Sequence, residues 1–311
     1  MPSPLSSPTP SHPLDPALVV TRLRAAGCVF AEDEARLLLS TARDPAELDA
    51  MVQRRVAGLP LEHVLGWAEF RGLRIAVDAG VFVPRRRSEF LADQATALAR
   101  TTLAPPAGPS SAPAGREKTG RGEPGGGDGG RRPVVVVDLC CGSGALAAAL
   151  AAALVPVVGR CELHAVDIDP AAVRCARRNL AAAGGRVHEG DLYDPLPSTL
   201  RGRVDILIAS PPYVPTEAIG LLPPEAREHE PLVALDGGAD GLDVVRRVVA
   251  QAPRWLAPGG HLLVETSEQQ AAQAAEAISR AGLTPRIATS RDRYATAVLG
   301  TRPAPPGSSA R

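Results

Sequence analysis

From Asp15 the apolar positions recur at helical spacing. Leu18, Val19 and Leu23 share one face, Leu37, Leu38 and Leu39 follow, and Leu48, Met51, Val52 and Val56 form a third set behind the helix-start pair Asp44-Pro45. This predicts a small helical unit over 14–66. The period then shortens to two: Phe70, Leu73, Ile75 and Val77, then Val81 and Val83, alternate on either side of Asp78-Ala79-Gly80, which predicts a β-hairpin with its turn there. Pro84 ends the hairpin, the basic run Arg85-Arg86-Arg87 follows, and Ser88-Glu89 opens a connecting helix carrying Phe90, Leu91 and Leu98, so hairpin and helix occupy 67–103. Residues 104–132 hold Pro, Gly, Ser and charge with almost no apolar side chains, too little to bury, and are expected to be a flexible linker. The Pro/Ser-rich start, 1–13, and the tail, 302–311, are expected to be disordered.

Beyond the linker, over 133–301, strand and helix patterns alternate. Val134 to Val137 with Asp138 read as a buried strand, then come a Gly-rich turn and an alanine-rich helix. A second strand, Leu163 to Val166, ends at Asp167, and Asp169-Pro170 caps a helix reaching Ala183. Val187 precedes Gly190-Asp191. A strand at 205–209, a helix at 242–255, a strand from His261 to Glu265, a helix to Ala281 and a closing hairpin of Pro285 to Thr289 with Ala295 to Leu299 complete the series. Such alternation means an α/β fold with a doubly wound sheet.

Composition narrows the class. Aromatic residues are only 3% of the chain, so the cores must be built from Leu, Val and Ala. Acidic and basic residues balance at 34 each, and Lys118 is the only lysine, which argues against general affinity for nucleic acid. Five cysteines form no Cys-x-x-Cys pair, as in a reducing compartment. The start has no signal pattern, and the alanine-rich run near 145–158 is too short to span a bilayer and contains Pro156, so a cytoplasmic protein without membrane contact is expected. His229 precedes Glu230 but no His-Glu-x-x-His exists, and no metal is expected.

The candidate chemistry gathers at strand ends. The strand at 205–209 runs into Ser210-Pro211-Pro212-Tyr213, where neither proline can extend a ladder, so the strand stops and a stiff loop holds the Ser210 hydroxyl, the Pro211 carbonyl and the Tyr213 ring. Carboxyl edges are where open α/β sheets keep their ligands. Gly142 and Gly144 let the first turn approach a ligand, Asp167 at the next strand end suits ribose hydroxyls, and Asp191 with the Leu192 backbone suits an adenine edge. The third glycine of a dinucleotide fingerprint is replaced by Ala147, which disfavours a pyrophosphate and leaves S-adenosylmethionine as the expected cofactor.

Asp138-Leu-Cys-Cys-Gly-Ser-Gly144, Ala165-Val-Asp167, Gly190-Asp191 and Ser210-Pro-Pro-Tyr213 resemble the motifs of class I S-adenosylmethionine-dependent methyltransferases that modify planar nitrogens. Leu59-Pro-Leu-Glu-His-Val-Leu-Gly66, Phe70-Arg-Gly72, Val83-Pro84-Arg85 with Ser88-Glu89, Glu230-Pro231, Ala234-Leu-Asp-Gly-Gly238 and Asp240-Gly-Leu242 extend the resemblance to the HemK-like protein-(glutamine-N5) methyltransferases. That resemblance implies a seven-stranded catalytic sheet, an N-terminal helical domain that docks substrate, a bridging hairpin, and a release factor glutamine as methyl acceptor. It implies catalytic roles for Ser210, Pro211, Pro212 and Tyr213. Cofactor contacts are implied for Asp138, Cys140, Gly142, Ser143, Gly144, Asp167, Asp191, Leu192 and Ser210, and substrate contacts for Pro84, Arg85 and Glu89.

Three departures point to a related subfamily with an altered substrate. Cys140 stands where the family has glycine, Ser210 where it has asparagine, and Arg86, Arg87 and Ser88 where it has Pro, Glu and Thr. Two rival readings stay open at this stage. One is methylation of an exocyclic amine in DNA or RNA, which the arginine run favours and the balanced charge opposes. The other is a catalytically silent S-adenosylmethionine-binding module.

Overall fold

The computed structural model describes residues 15–103 and 132–304. The expected disordered start, the linker at 104–131 and the last part of the tail lie outside them. In chain order the elements are α1 (Pro16–Ala25), α2 (Ala31–Thr41), α3 (Pro45–Val56), α4 (Leu61–Leu65), β1 (Trp67–Phe70), β2 (Leu73–Ala76), α5 (Glu89–Leu103), β3 (Val134–Leu139), α6 (Ala145–Val158) and β4 (Cys161–Asp167). Then come α7 (Pro170–Leu180), β5 (Arg186–Glu189), β6 (Val204–Ala209), α8 (Pro224–His229), α9 (Asp243–Trp255), β7 (Leu256–Thr266), α10 (Ala271–Arg280), β8 (Thr284–Ser290) and β9 (Ala295–Thr301).

The seven strands of the main sheet are ordered β5-β4-β3-β6-β7-β9-β8. β5 to β7 pair in parallel, and β9 runs antiparallel to both β7 and β8. This is the seven-stranded class I methyltransferase fold. Strand order reverses between β3 and β6, so their carboxyl ends open the crevice in which such sheets bind ligands. Both strands are buried at every position, the signature of a sheet covered on both faces. Val134 and Val136 face one core, shared with α6 and α7, while Val135, Val137 and Leu139 face the other, shared with α9 and α10.

α1 to α4 enclose a separate core of Val19, Leu23, Leu38, Met51 and Val52. Capping follows the sequence: Asp15, Asp44 and Asp169 each accept a backbone N–H at a helix start with proline behind them. Phe70, Ile75, Val77, Val81 and Val83 join the first core of the sheet together with Leu91 and Ala95 of α5. The hairpin and α5 therefore belong to the catalytic unit.

The hairpin itself corrects the sequence expectation. Its turn is Arg71-Gly72, not Asp78-Ala79-Gly80. Phe70 pairs with Leu73, and both turn residues have positive φ, 50° and 73°, the two-residue loop whose twist matches antiparallel strands. The outer edge of β2 is taken by a side chain: Asn179 of α7 accepts from the Ala76 N–H at 2.9 Å and donates to the Ala76 carbonyl at 2.9 Å. With that edge filled, the turn at 78–80 only redirects the chain. The stretch 81–83 runs on, with the Val83 N–H donating to Glu230 at 3.1 Å.

Candidate active site

β6 and β7 pair in parallel with Ala209 opposite Val264, so the next residues, Ser210 and Glu265, emerge level at the carboxyl edge. The Ser210 hydroxyl donates to Glu265 Oε2 at 3.0 Å, and the Tyr213 hydroxyl donates to Oε1 at 3.3 Å. Arg87 Nε also reaches Oε1, at 3.3 Å, and its guanidinium lies 5.7 Å from the Tyr213 ring centre. Glu265 is only 3% exposed. Burial, reinforced by the Glu265 carboxylate, pushes the Tyr213 phenol well above its ordinary value, so it stays a protonated donor.

Behind this loop the segment after Tyr213 is braced. Val214 forms a parallel bridge with Asp236, and Gln270 at the start of α10 donates to the carbonyls of Tyr213 and Asp240, both at 2.9 Å.

The turn between β3 and α6 bends through positive φ at Cys140, Gly142 and Gly144. Asp167, at the end of β4, holds it: the Gly142 N–H donates to Oδ2 at 2.8 Å, and the Asp169 N–H donates to Oδ1 at 2.9 Å. Burial raises the Asp167 carboxyl pKa, and these backbone donors oppose the rise. Asp191 pairs with Arg247 of α9 at 2.5 Å. Ile168, 52% exposed, presents an apolar surface between these groups.

A cavity of about 390 Å³ joins the two ends. Of the residues expected in the site, Cys140, Gly142, Asp167, Asp191, Leu192, Arg85 and the whole run Ser210 to Tyr213 line it. Five others are not on its wall. Asp138 is fully buried, with Oδ2 accepting the Ala147 N–H at 3.1 Å and Oδ1 without a partner. Ser143 is buried, and its carbonyl accepts from Asn179 at 2.8 Å. Gly144 abuts Ala176 and Leu180 of α7, where a Cβ would come within 3.2 to 3.3 Å of them. Glu89 accepts the Arg71 N–H at 3.1 Å, away from the cavity, and Pro84 lies between the lining residues Phe82 and Arg85.

Sequence reasoning missed Phe82 and Arg247 on the wall and Glu265 beneath it, and reached Arg87, also on the wall, only as part of the basic run after Pro84. Phe82 falls between the alternating apolar positions Val81 and Val83, and an aromatic directly before the Val83-Pro84-Arg85 motif is a usable signal. Glu230 stood in a quoted motif without a role. Here it is buried, ties Arg85 at 2.5 Å, and has its carboxyl pKa raised by burial against the pull of Arg85.

The wall fits S-adenosylmethionine. A Cβ on Gly142 would meet nothing within 4 Å, so the missing side chain leaves open space beside the Asp167 carboxylate, and no cluster of phosphate-binding cations lines that end. Fold and cavity together define a class I S-adenosylmethionine-dependent methyltransferase.

Comparison with known proteins narrows this further. Residues 131–221 match the Methyltransferase small domain family. The chain is 37% identical to the release factor glutamine methyltransferase of Geobacter sulfurreducens over 77% of its own length and 72% of the relative's. It is 35% identical to that of Mycolicibacterium smegmatis, over 85% of each. A 4-amino-L-phenylalanine/4-methylamino-L-phenylalanine methyltransferase of Streptomyces pristinaespiralis is 35% identical over 71% of this chain and 65% of the relative. The chain belongs to the release factor glutamine methyltransferase family. Among the described residues no helix is long and apolar enough to cross a membrane.

Proposed function

We propose that this chain methylates the side-chain amide nitrogen of a glutamine in a peptide chain release factor, in the cytoplasm. The observation that carries the reading is that Ser210 and Pro211 share one cavity wall with Asp167 and Gly142. Bound S-adenosylmethionine would supply an electrophilic methyl on a cationic sulfur, held by Asp167 at the ribose, Asp191 and the Leu192 backbone at the adenine edge, and the Cys140 to Gly142 turn. The chain's own task is orientation. An amide nitrogen shares its lone pair with its carbonyl, so it is a poor nucleophile unless turned and held. Ser210 Oγ has spent its proton on Glu265, and no described residue donates to the Pro211 carbonyl. These two acceptors take the two amide N–H groups. Tyr213 and Phe82 close the apolar sides of the same cavity and help exclude water. As the N–C bond forms the S–C bond to the methyl would break, leaving the sulfur neutral, and the nitrogen, now strongly acidic, loses one of its protons to solvent as the methylated amide leaves the cavity, without a dedicated base.

A second reading, transfer to the amine of a small aromatic molecule, is favoured by Ser210 in place of asparagine and by the likeness to the Streptomyces pristinaespiralis enzyme. One experiment separates them. Purified protein is given methyl-labelled S-adenosylmethionine with the organism's own release factors, bulk lysate protein, nucleic acid and 4-aminophenylalanine in parallel. Label on a release factor glutamine is the expected result. Label confined to the small amine selects the second reading, label confined to nucleic acid selects an exocyclic base amine, and cofactor binding with no transfer selects a silent module.

A further inference from the structure

Glu265 has no contact with the cavity, yet both potential substrate-facing hydroxyls, Ser210 and Tyr213, end on it. A carboxylate only accepts, so each hydroxyl must donate its single proton to it. Arg87 supplies the opposing charge through Oε1, which leaves Oε2 to Ser210. The consequence is specific to serine. A free hydroxyl rotates and can offer either a proton or a lone pair, whereas one whose proton is held by a buried carboxylate can only accept. We propose that Glu265 is a positioning residue that fixes Ser210 Oγ as an acceptor for the substrate N–H, giving a short, rotatable serine the fixed polarity that an amide carbonyl has by its nature.

This rests on the amide-methylation reading above, and the test separates the two. Glu265→Gln nearly preserves shape but places an NH2 group where it can donate to Ser210 Oγ, which turns the serine proton toward the cavity. The variant is assayed for glutamine methylation in two backgrounds, wild type and Ser210→Asn, with cofactor affinity measured by calorimetric titration of all four proteins. Asparagine carries its acceptor and its donors on separate atoms, so its carbonyl oxygen can only accept whatever group lies beneath it, and Ser210→Asn should retain measurable turnover. In the serine background Glu265→Gln should lower kcat by about tenfold or more, and in the asparagine background by less than about threefold, a difference that a merely structural carboxylate would not produce. Cofactor affinity should stay within about threefold throughout.

Equal losses in both backgrounds, no loss in either, an inactive Ser210→Asn, or collapse of cofactor binding in Glu265→Gln would each overturn the role of Glu265. Failure of the wild-type protein to label any glutamine would instead overturn the functional reading. In that case the same four proteins, assayed on whichever amine does accept label, still decide whether Glu265 sets the polarity of Ser210.

Discussion

Asp138 is an acid kept out of water with one oxygen unpartnered. Burial pushes its carboxyl up to about 8 from an ordinary 3.8, with the nearby Asp167 adding to the rise and the Ala147 N–H working against it. Between those two values the folded chain holds a proton that the unfolded chain releases. The unfolded state binds fewer protons there, so stability falls as pH rises from 3.8 towards about 8, and no further loss from this group follows above that. Asp138→Asn keeps an acceptor for the Ala147 N–H and cannot ionise. Its stability relative to wild type should therefore rise between pH 5 and pH 8, read as urea midpoints at both. A constant difference would mean that Asp138 does not hold its proton in the folded state. The site's other carboxylates differ in how far the sequence disclosed them. Asp167 ends β4 and Asp191 follows the end of β5 by two residues, and both could be read as cavity groups from that alone. Glu265 also ends a strand, but its meaning depends on β7 lying beside β6, a non-local fact that no spacing in the sequence carries.

The loop from Asp236 to Leu242 is the element that keeps the Ser-Pro-Pro-Tyr loop in place, and its glycines have distinct reasons. Gly241 has φ 77°, and a Cβ there would lie 2.3 Å from the Tyr213 carbonyl oxygen and 2.2 Å from Gln270 Nε2, the two atoms whose hydrogen bond anchors the Ser-Pro-Pro-Tyr loop. Gly241→Ala must therefore shift Tyr213 and adds the strain of a left-handed residue, of order 1–2 kcal/mol. We expect a loss of turnover exceeding about tenfold, since displacements near 1 Å in a positioned site carry such penalties, while cofactor affinity, which the proposed function assigns to the Asp167 end, changes little. Steady-state kinetics alongside cofactor titration checks it, and equal damage to both would show that the loop supports the whole cavity. Element types were legible because β3 and β6 are apolar at every position but one, Asp138 and Asp205 respectively, and α3 and α7 carry Asp-Pro starts. The hairpin turn was not, because the period-two pattern is interrupted twice, between Phe70 and Leu73 and between Val77 and Val81, and either break could hold the turn. Asp-Ala-Gly resembles a turn as much as Arg-Gly does, and only the Asn179 side chain, about a hundred residues away, occupies the β2 edge.

At the scale of the molecule, the helical unit is tied to the catalytic unit by a charge buried in its own core. Arg55 of α3 gives Nε to Glu34 at 2.6 Å, Nη1 to the Leu59 carbonyl at 3.0 Å, and Nη1 also to Glu225 of α8 at 2.6 Å. Burial opposes the guanidinium charge, and the two carboxylates more than offset this, so Arg55 is held above its ordinary range. The partners are not equivalent. Glu34 is buried with Arg55, whereas the Glu225 side chain is 47% exposed and lies on the cavity wall. Removing Arg55 leaves the buried Glu34 without its cation, a defect that costs roughly 3–5 kcal/mol. Removing Glu225 leaves Arg55 with Glu34 and Leu59 still in place, and a half-exposed pair contributes no more than about 1 kcal/mol. Arg55→Ala should therefore lower the urea midpoint strongly. Glu225→Ala should barely move it, yet it should raise KM for the protein acceptor, because Arg55 no longer holds the α8 side of the cavity rim. If both variants unfold alike, the helical unit depends on the catalytic unit for its stability. If Glu225→Ala leaves KM unchanged, the link between the two units plays no part in presenting the substrate.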